Sequence, residues 1–334
     1  MKKTLQTLTL FMVIVFIVIG LSSCGTTTNQ TQQNNNPTEV TVFHAGSLSV
    51  PFKKIAEEYQ KEHPDIHIKL SSAGSKALAQ KIITLHQNSQ PLPDIYASAD
   101  YSLITSLLFP KNLANFDILF AKNSIVIAYT SGSKYASEIN PNNWYQILSR
   151  EDVRIGRSDP ELDPCGYRSV LVMELASKYY NQPDLYTKLK DHPGTVIKPK
   201  EVDLVADLET GNIDYFWIYE SVARQHHFKY IKLPEQINLS SLKYADFYQT
   251  ASIKLTKADG STYIVRGKPI VYGITIPKGA PHTKAAEQFL QFILTRGLTI
   301  LDENGQPPVN PAQYIGNKEN LPENIKDLVI PASP

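Results

Sequence analysis

The sequence predicts an α/β protein built from two strand–helix units, each a central sheet flanked by helices. Three observations carry that expectation. Between residues 39 and 108, apolar strand patterns alternate with helical ones, which argues for a parallel sheet covered by helices. A second alternating run occupies residues 153–233. Two strand ends of the first unit carry the same triplet, Ala45-Gly46-Ser47 and Ala73-Gly74-Ser75. With 334 residues, 42% of them hydrophobic, the chain is long enough for two domains. A net charge of +1 excludes the basic excess expected of a nucleic-acid-binding protein.

The amino terminus reads as a targeting segment. Lys2 and Lys3 precede an apolar run over residues 8–21, about the length of a signal-peptide core and short for a membrane span. Leu21-Ser22-Ser23-Cys24 then resembles the bacterial lipobox, which implies cleavage before Cys24 and a diacylglyceryl group on its thiol. Residues 1–23 are thus expected as signal peptide. Residues 24–38, rich in Thr, Asn and Gln, are expected as a lipidated tether too polar to bury surface. The only other cysteine is Cys165, so no disulfide framework is expected, and no Cys/His metal spacing is present.

The first unit begins with a strand at 40–45. Gly46-Ser47-Leu48-Ser49 turns the chain into a helix that starts near Pro51 and places Phe52, Ile55, Ala56 and Tyr59 on one face. A strand at 66–70 leads through Ser71-Ser72-Ala73-Gly74-Ser75 into a helix with Leu78, Ile82 and Leu85 inward, for which Ser75 is the expected N-cap. A strand at 94–97 follows, with Asp100 placed to cap a helix through Leu108. Glycine lets backbone approach a ligand closely, and serine offers a hydroxyl beside a helix amino terminus, so Gly46, Ser47 and Ser75 are candidate contacts. Simple capping is the plain alternative.

Residues 124–130 form the most apolar strand of the middle region. The second unit then contains a strand at 153–156, the loop from Arg157 to Arg168 and a helix over 167–180. It continues with a short helix at 202–208, a strand at 213–219, a helix at 220–228 and a strand at 229–233. The loop is the chain's densest chemistry, with Asp159, Glu161, Asp163, Cys165 and Arg168 close together around two Asp-Pro pairs. A strand-to-helix junction of this kind is a ligand edge in open α/β sheets. Residues 269–276 form another strand and 281–294 a helix, and the tail from 306 is Pro-rich and polar.

Four local motifs carry a family resemblance: Val42 through Phe52, Pro93 through Asp100, Asp163 through Arg168, and Tyr219-Glu220-Ser221-Val222-Ala223. Together they resemble the tungstate/molybdate-binding proteins of ABC importers, over essentially all of residues 39–334. The resemblance implies a two-lobed periplasmic-binding-protein fold of type II. Its first lobe would span residues 39–125 plus 276–334 and its second 126–275, with crossing strands at 124–130 and 269–276. It implies an extracytoplasmic receptor, monomeric and held to the membrane by Cys24, that closes on the oxyanion and delivers it to a permease and its ATPase. Carried over position by position, it implies oxyanion contacts from Gly46, Ser47, Ser75, Asp163, Pro164 and Cys165. Asp163 and Glu220 would be carboxylate ligands of the metal, and a later tyrosine, Tyr244 or one helical turn away Tyr248, would also contribute. No enzymatic role and no separate cofactor are implied.

The residues themselves leave alternatives open. Serine hydroxyls and helix amino termini suit a dianion. Carboxylates beside it should repel it unless they bond a metal centre able to add oxygen ligands. Another anion such as sulfate or phosphate, or a carboxylate-ligated cation, fits the same fold. A thiol enzyme using Cys165 is a third class, disfavoured because no Ser/His/Asp or Cys/His order is apparent. Arg168 is a possible contact, although an arginine in a first helical turn often points to solvent.

The anchoring expectation is open to direct measurement. Two acyl chains, at about 0.8 kcal/mol per buried methylene, hold a protein firmly on a membrane. Mass spectrometry of the mature protein should find the lipid on Cys24, and Cys24→Ala should abolish it.

Overall fold

The computed structural model describes residues 37–332 except residue 258; the expected signal peptide, Cys24 and the polar segment through residue 36 lie outside the described residues, while Thr38, expected in the tether, already opens the first strand. Along the chain the strands are β1 (Thr38–Ala45), β2 (Ile66–Ala73), β3 (Ile95–Ser98), β4 (Phe116–Lys122), β5 (Ile125–Tyr129), β6 (Ile155–Ser158), β7 (Thr195–Lys198), β8 (Tyr215–Tyr219), β9 (Lys229–Lys232), β10 (Ser252–Thr256), β11 (Thr262–Arg266), β12 (Val271–Thr275), β13 (Pro308–Gly316) and β14 (Val329–Pro331). They assemble into a seven-stranded sheet, β14-β13-β4-β12-β3-β1-β2, a five-stranded sheet, β7-β6-β8-β5-β9, and a β10–β11 hairpin. Each sheet with its helices is a lobe.

In the first lobe β1 pairs in parallel with both β2 and β3, as the strand–helix alternation predicts. Alternation along β1 sends Val40 and Val42 to one face, with Phe52, Ile55 and Tyr59 of the Ser49–Glu62 helix. Phe43 goes to the other face, with Leu78, Ile82 and Ile83 of the Ser75–Gln87 helix. In the second lobe β6 and β8 are parallel and β5 is antiparallel to β8 and β9. Strand β8 is buried along its whole length. Trp217 meets Trp144 edge-on at 5.6 Å.

The two strands expected to cross between lobes each belong wholly to one sheet. Strand β5 lies in the five-stranded sheet, and β12, expected in the second lobe, pairs with β3 and β4 in the seven-stranded one. A strand needs ladder partners along its length, so the chain changes lobe over a few residues instead. Those few residues are held by Asn123. Its Oδ1 accepts from the Ser124 and Ser221 amides at 3.0 and 3.3 Å, and its Nδ2 donates to Ser221 Oγ at 2.8 Å and Tyr272 OH at 3.0 Å. The tail from 306 also differs from expectation. Its strands β13 and β14 complete the seven-stranded sheet, and the register against β4 breaks between Pro308 and Gln313, where prolines cannot donate to a ladder.

One buried group is at odds with its surroundings. Asp117 on β4 is fully buried, and among the described residues neither carboxylate oxygen has a hydrogen-bond partner. It abuts Gly273, where an added Cβ would lie 2.4 Å from Asp117 Oδ1 and 2.7 Å from Tyr101 Cα, so this position requires glycine. Burial, then the Asp100 charge, pushes the Asp117 carboxyl well above its ordinary range. With the folded pKa raised, the folded state holds a proton that the unfolded chain releases, and stability falls as pH rises above the ordinary carboxylate value. Asp117→Asn should therefore raise the melting midpoint at neutral pH by roughly 2–4 °C, a gain that disappears in acid; thermal melts across pH check it.

Candidate functional site

The carboxyl ends of β1, β2, β6 and β8 converge where the lobes meet, the usual place for a site in open α/β sheets. At the end of β6 the chain turns into the Pro164–Tyr179 helix. Asp163 is the N-cap residue in extended conformation and Pro164 occupies the first turn, where a missing N–H costs nothing. The Asp163 side chain is buried and its Oδ2 accepts the Glu201 amide at 3.1 Å. Glu201 opens a short turn after β7, is 1% exposed, and among the described residues has no hydrogen-bond partner for either carboxylate oxygen. The hydroxyl of Ser158, the last residue of β6, is also buried without a partner.

The two Ala-Gly-Ser triplets of the first lobe close on this pair. An added Cβ at Gly46 would lie 3.1 Å from both Glu201 carboxylate oxygens. One at Gly74 would lie 2.4 Å from the Leu162 carbonyl oxygen and 3.1 Å from Asp163 Cβ. The Ala77 amide donates to the Leu162 carbonyl at 3.1 Å across the lobes. Glycine is thus needed at Gly74, where a side chain would collide with the Leu162 backbone carbonyl, whereas at Gly46 first-lobe backbone packs directly on the Glu201 carboxylate. Ser47 is buried, with Oγ 2.8 Å from Tyr272 OH, in the same network as Asn123. Ser75 is the first helical residue, not the N-cap, which is Gly74; its Oγ accepts the Ala99 amide at 3.0 Å. At the rim, Lys76 Nζ spans the lobes to Glu161 Oε2 and the Thr256 carbonyl, each at 2.6 Å.

The electrostatics are those of two acids in a dry space. Burial raises the Asp163 carboxyl. Burial, then the Asp163 charge, raises Glu201 well above its ordinary range. Two carboxyls buried side by side in low dielectric each make ionisation of the other less favourable. Burial and the same two acids push the Cys165 thiol up as well, and its Sγ points away, 3.8 Å from the Trp217 carbonyl oxygen. That is the opposite of an activated nucleophile. What Cys165 and Pro164 bring to the site is the helix amino terminus beside Asp163.

Tyr219, the last residue of β8, is fully buried, and its ring centroid is 6.0 Å from that of Tyr272. Burial pushes its phenol well up, so it stays a donor.

Two expected residues lie apart from this cluster. Glu220 is half-buried at the hinge, where Oε2 accepts Ser124 Oγ at 2.8 Å and Oε1 lies 3.4 Å from Tyr230 OH. Consecutive residues at a strand end point in opposite directions, so when Tyr219 faces the cleft Glu220 cannot. Tyr244 lies on the Leu242–Tyr244 turn, 6.5 Å between ring centroids from Tyr248, whose own hydroxyl bonds the Glu235 carbonyl and the Ser241 amide. The second acid and the tyrosine of the cluster are Glu201 and Tyr219 instead. Both stand beside positions that sequence reasoning marked, Glu201 immediately before the predicted 202–208 helix and Tyr219 immediately before Glu220, but neither carries a local signal of its own.

Comparison with known proteins agrees with this architecture. The bacterial extracellular solute-binding protein family matches residues 40–305. An uncharacterized solute-binding protein of Petrotoga mobilis is 46% identical, covering 87% of this chain and 90% of its own length. A molybdate/tungstate-binding protein of Pyrococcus abyssi is 43% identical, covering 95% and 96%. Among solved structures, the periplasmic molybdate-binding protein of Azotobacter vinelandii superposes with a TM-score of 0.58 at 17% identity, covering 80% of this chain and 98% of its own. The substrate-binding protein of an Agrobacterium tumefaciens ABC transporter does so with a TM-score of 0.62 at 15%, covering 90% and 89%. At such identities the structures share the fold alone, that of type II periplasmic binding proteins. The chain belongs to the bacterial extracellular solute-binding protein family, a family of extracytoplasmic binding proteins and not of enzymes.

Proposed function

We propose that the chain captures molybdate or tungstate between its lobes and delivers it to an ABC permease while anchored to the membrane through Cys24. The observation that carries this reading is the pair Asp163 and Glu201, buried together with no salt-bridge partner among the described residues and facing the Gly46 and Gly74 strand ends. A site that read only charge and hydrogen bonds would not hold two acids. Each ionised carboxylate 4 Å from a unit charge is worth roughly 4 kcal/mol of repulsion at an effective dielectric of 20. Two carboxylates are useful to a metal centre that can expand beyond its four oxygens, and hard oxygen donors suit it. Ser47, Ser75, Tyr219 and the amide groups at the helix amino terminus beside Asp163 are the donors for the oxyanion's own oxygens. The relatives named for molybdate and tungstate binding support the same ligand class.

The competing reading is a sulfate or phosphate receptor in which the protonated acids donate to the anion. The two differ in proton traffic. Metal coordination needs both carboxylates ionised, and the fold has raised both, so binding should release protons and weaken as pH falls. Donation from the acids would instead strengthen binding in acid. Calorimetry of the full chain with molybdate, tungstate and sulfate, in two buffers of different ionisation enthalpy, counts those protons. Asp163→Asn and Glu201→Gln should each lower oxyanion affinity at least about tenfold, 1.4 kcal/mol. Glu220→Gln should stay within roughly twofold. Equal or tighter molybdate and tungstate binding in the Asp163/Glu201 double variant, or tight sulfate binding, would overturn coordination.

A further inference from the structure

We propose that Arg168 is a positioning residue that couples lobe closure to the site: held by first-lobe groups across the cleft, it covers the acceptor side of the Tyr219 hydroxyl and commits that O–H to the bound oxyanion. The inference rests on the reading of the site given above.

Arg168 lies in the second turn of the Pro164–Tyr179 helix and is 2% exposed. Its Nη1 donates to the Ala99 carbonyl at 2.6 Å and to Tyr219 OH at 2.8 Å. Its Nη2 lies 3.6 Å from Asp100 Oδ2. Ala99 and Asp100 follow β3 of the first lobe, whereas Arg168 and Tyr219 belong to the second, so the guanidinium reaches this geometry only when the lobes are together. Tyr167 OH donates to Asp100 Oδ2 at 2.7 Å, and Lys268 Nζ, on the returning hinge segment, is 3.0 Å from Asp100 Oδ1. Burial alone would raise the Asp100 carboxyl; Lys268, then Arg168, outweigh it and hold the group ionised, well below the usual range. One carboxylate thus serves two cations, leaving net positive charge beside the Tyr219 hydroxyl.

The consequence for Tyr219 follows from hydrogen-bond chemistry. A guanidinium has no acceptor, so the phenol can only accept from Arg168. The phenol's own proton must go elsewhere, and among the described residues it has no acceptor within hydrogen-bond distance. The Tyr219 ring packs against that of Tyr272 of the first lobe, whose hydroxyl meets Ser47. A buried donor with its other side occupied is a pre-oriented ligand contact, and the orientation depends on the first lobe having closed.

The test is a double-mutant cycle on the full chain, read by calorimetry with molybdate, with folding checked by circular dichroism. Arg168→Lys keeps charge but loses the planar fork. It should weaken binding by about tenfold with Tyr219 present, and by less than about twofold in the Tyr219→Phe background. Equal losses in both backgrounds would mean that Arg168 merely supports the fold, and would overturn the proposal. If Arg168→Lys does not fold, the same cycle with Asp100→Asn decides by the same criterion. A wild type that binds neither molybdate nor tungstate overturns the reading of the site itself. Binding by the wild type with an additive cycle overturns only the role of Arg168.

Discussion

The pairing of Asp163 with Glu201 is the constraint on which the rest of the cleft depends. Two acids brought together out of water carry a desolvation penalty, and that burial raises both carboxyls above their ordinary range. The Glu201 amide on Asp163 Oδ2 ties the two second-lobe segments to each other. The surrounding backbone is fitted to that pair. Gly46 lies against Glu201 and Gly74 against Leu162 and Asp163, and a methyl group at Gly74 would force the lobes apart. A repeated Ala-Gly-Ser triplet is thus one solution used twice, with a glycine at the interlobe contact followed by a serine at the start of a helical segment.

Closure and chemistry share parts. Asn123 holds the lobe crossing through Ser124 and Ser221 and reaches Tyr272, whose hydroxyl meets Ser47. At the other end of the cleft Asp100, Tyr167, Arg168 and Lys268 form a buried interlobe network that ends on Tyr219. Lys76 joins a first-lobe helix to the Arg157–Arg168 loop and to the β10–β11 hairpin. The contacts of Arg168 and Tyr167 with Ala99 and Asp100, and those of Lys76 with Glu161 and Thr256, are made across lobes, so they contribute to a closed state that a ligand touching both walls would favour. A buried ion pair adds little net stability once desolvation is counted, and the Asp100 network is better understood as fixing geometry.

How much was legible in the sequence depends on the range of the interaction involved. The α/β class, the parallel β1–β2–β3 arrangement, the Gly46 and Gly74 turns and the acidic loop ending in Asp163 were all readable, because periodicity, turn chemistry and strand-to-helix junctions are local properties. Asp163 stood out through its neighbours Pro164 and Cys165. Glu201 did not, since an acidic residue at the start of a short helix is ordinary. Only the meeting of β6 and β7 ends beneath Gly46 distinguishes it. Glu220 and Tyr219 are adjacent, and choosing between them requires knowing which face of β8 looks into the cleft. That is a property of sheet packing, invisible to a residue-by-residue pattern when both faces of the strand are buried.

The tail and the hinge show the same division. Residues after 306 contain too many prolines and polar groups to announce strands, yet β13 and β14 pair because β4 offers an edge that only the assembled sheet presents. The lobe crossing was expected in two strands and lies in the few residues outside them, since ladder hydrogen bonds commit β5 and β12 each to one sheet. The sequence by itself determined the fold class, the Gly46 and Gly74 strand ends and one acid of the pair, all set within a few residues of chain. Tertiary structure decided the second acid, the tyrosine and the burial of Arg168. Those depend on which groups from distant segments are excluded from water together, and only the closed packing of the two lobes establishes that.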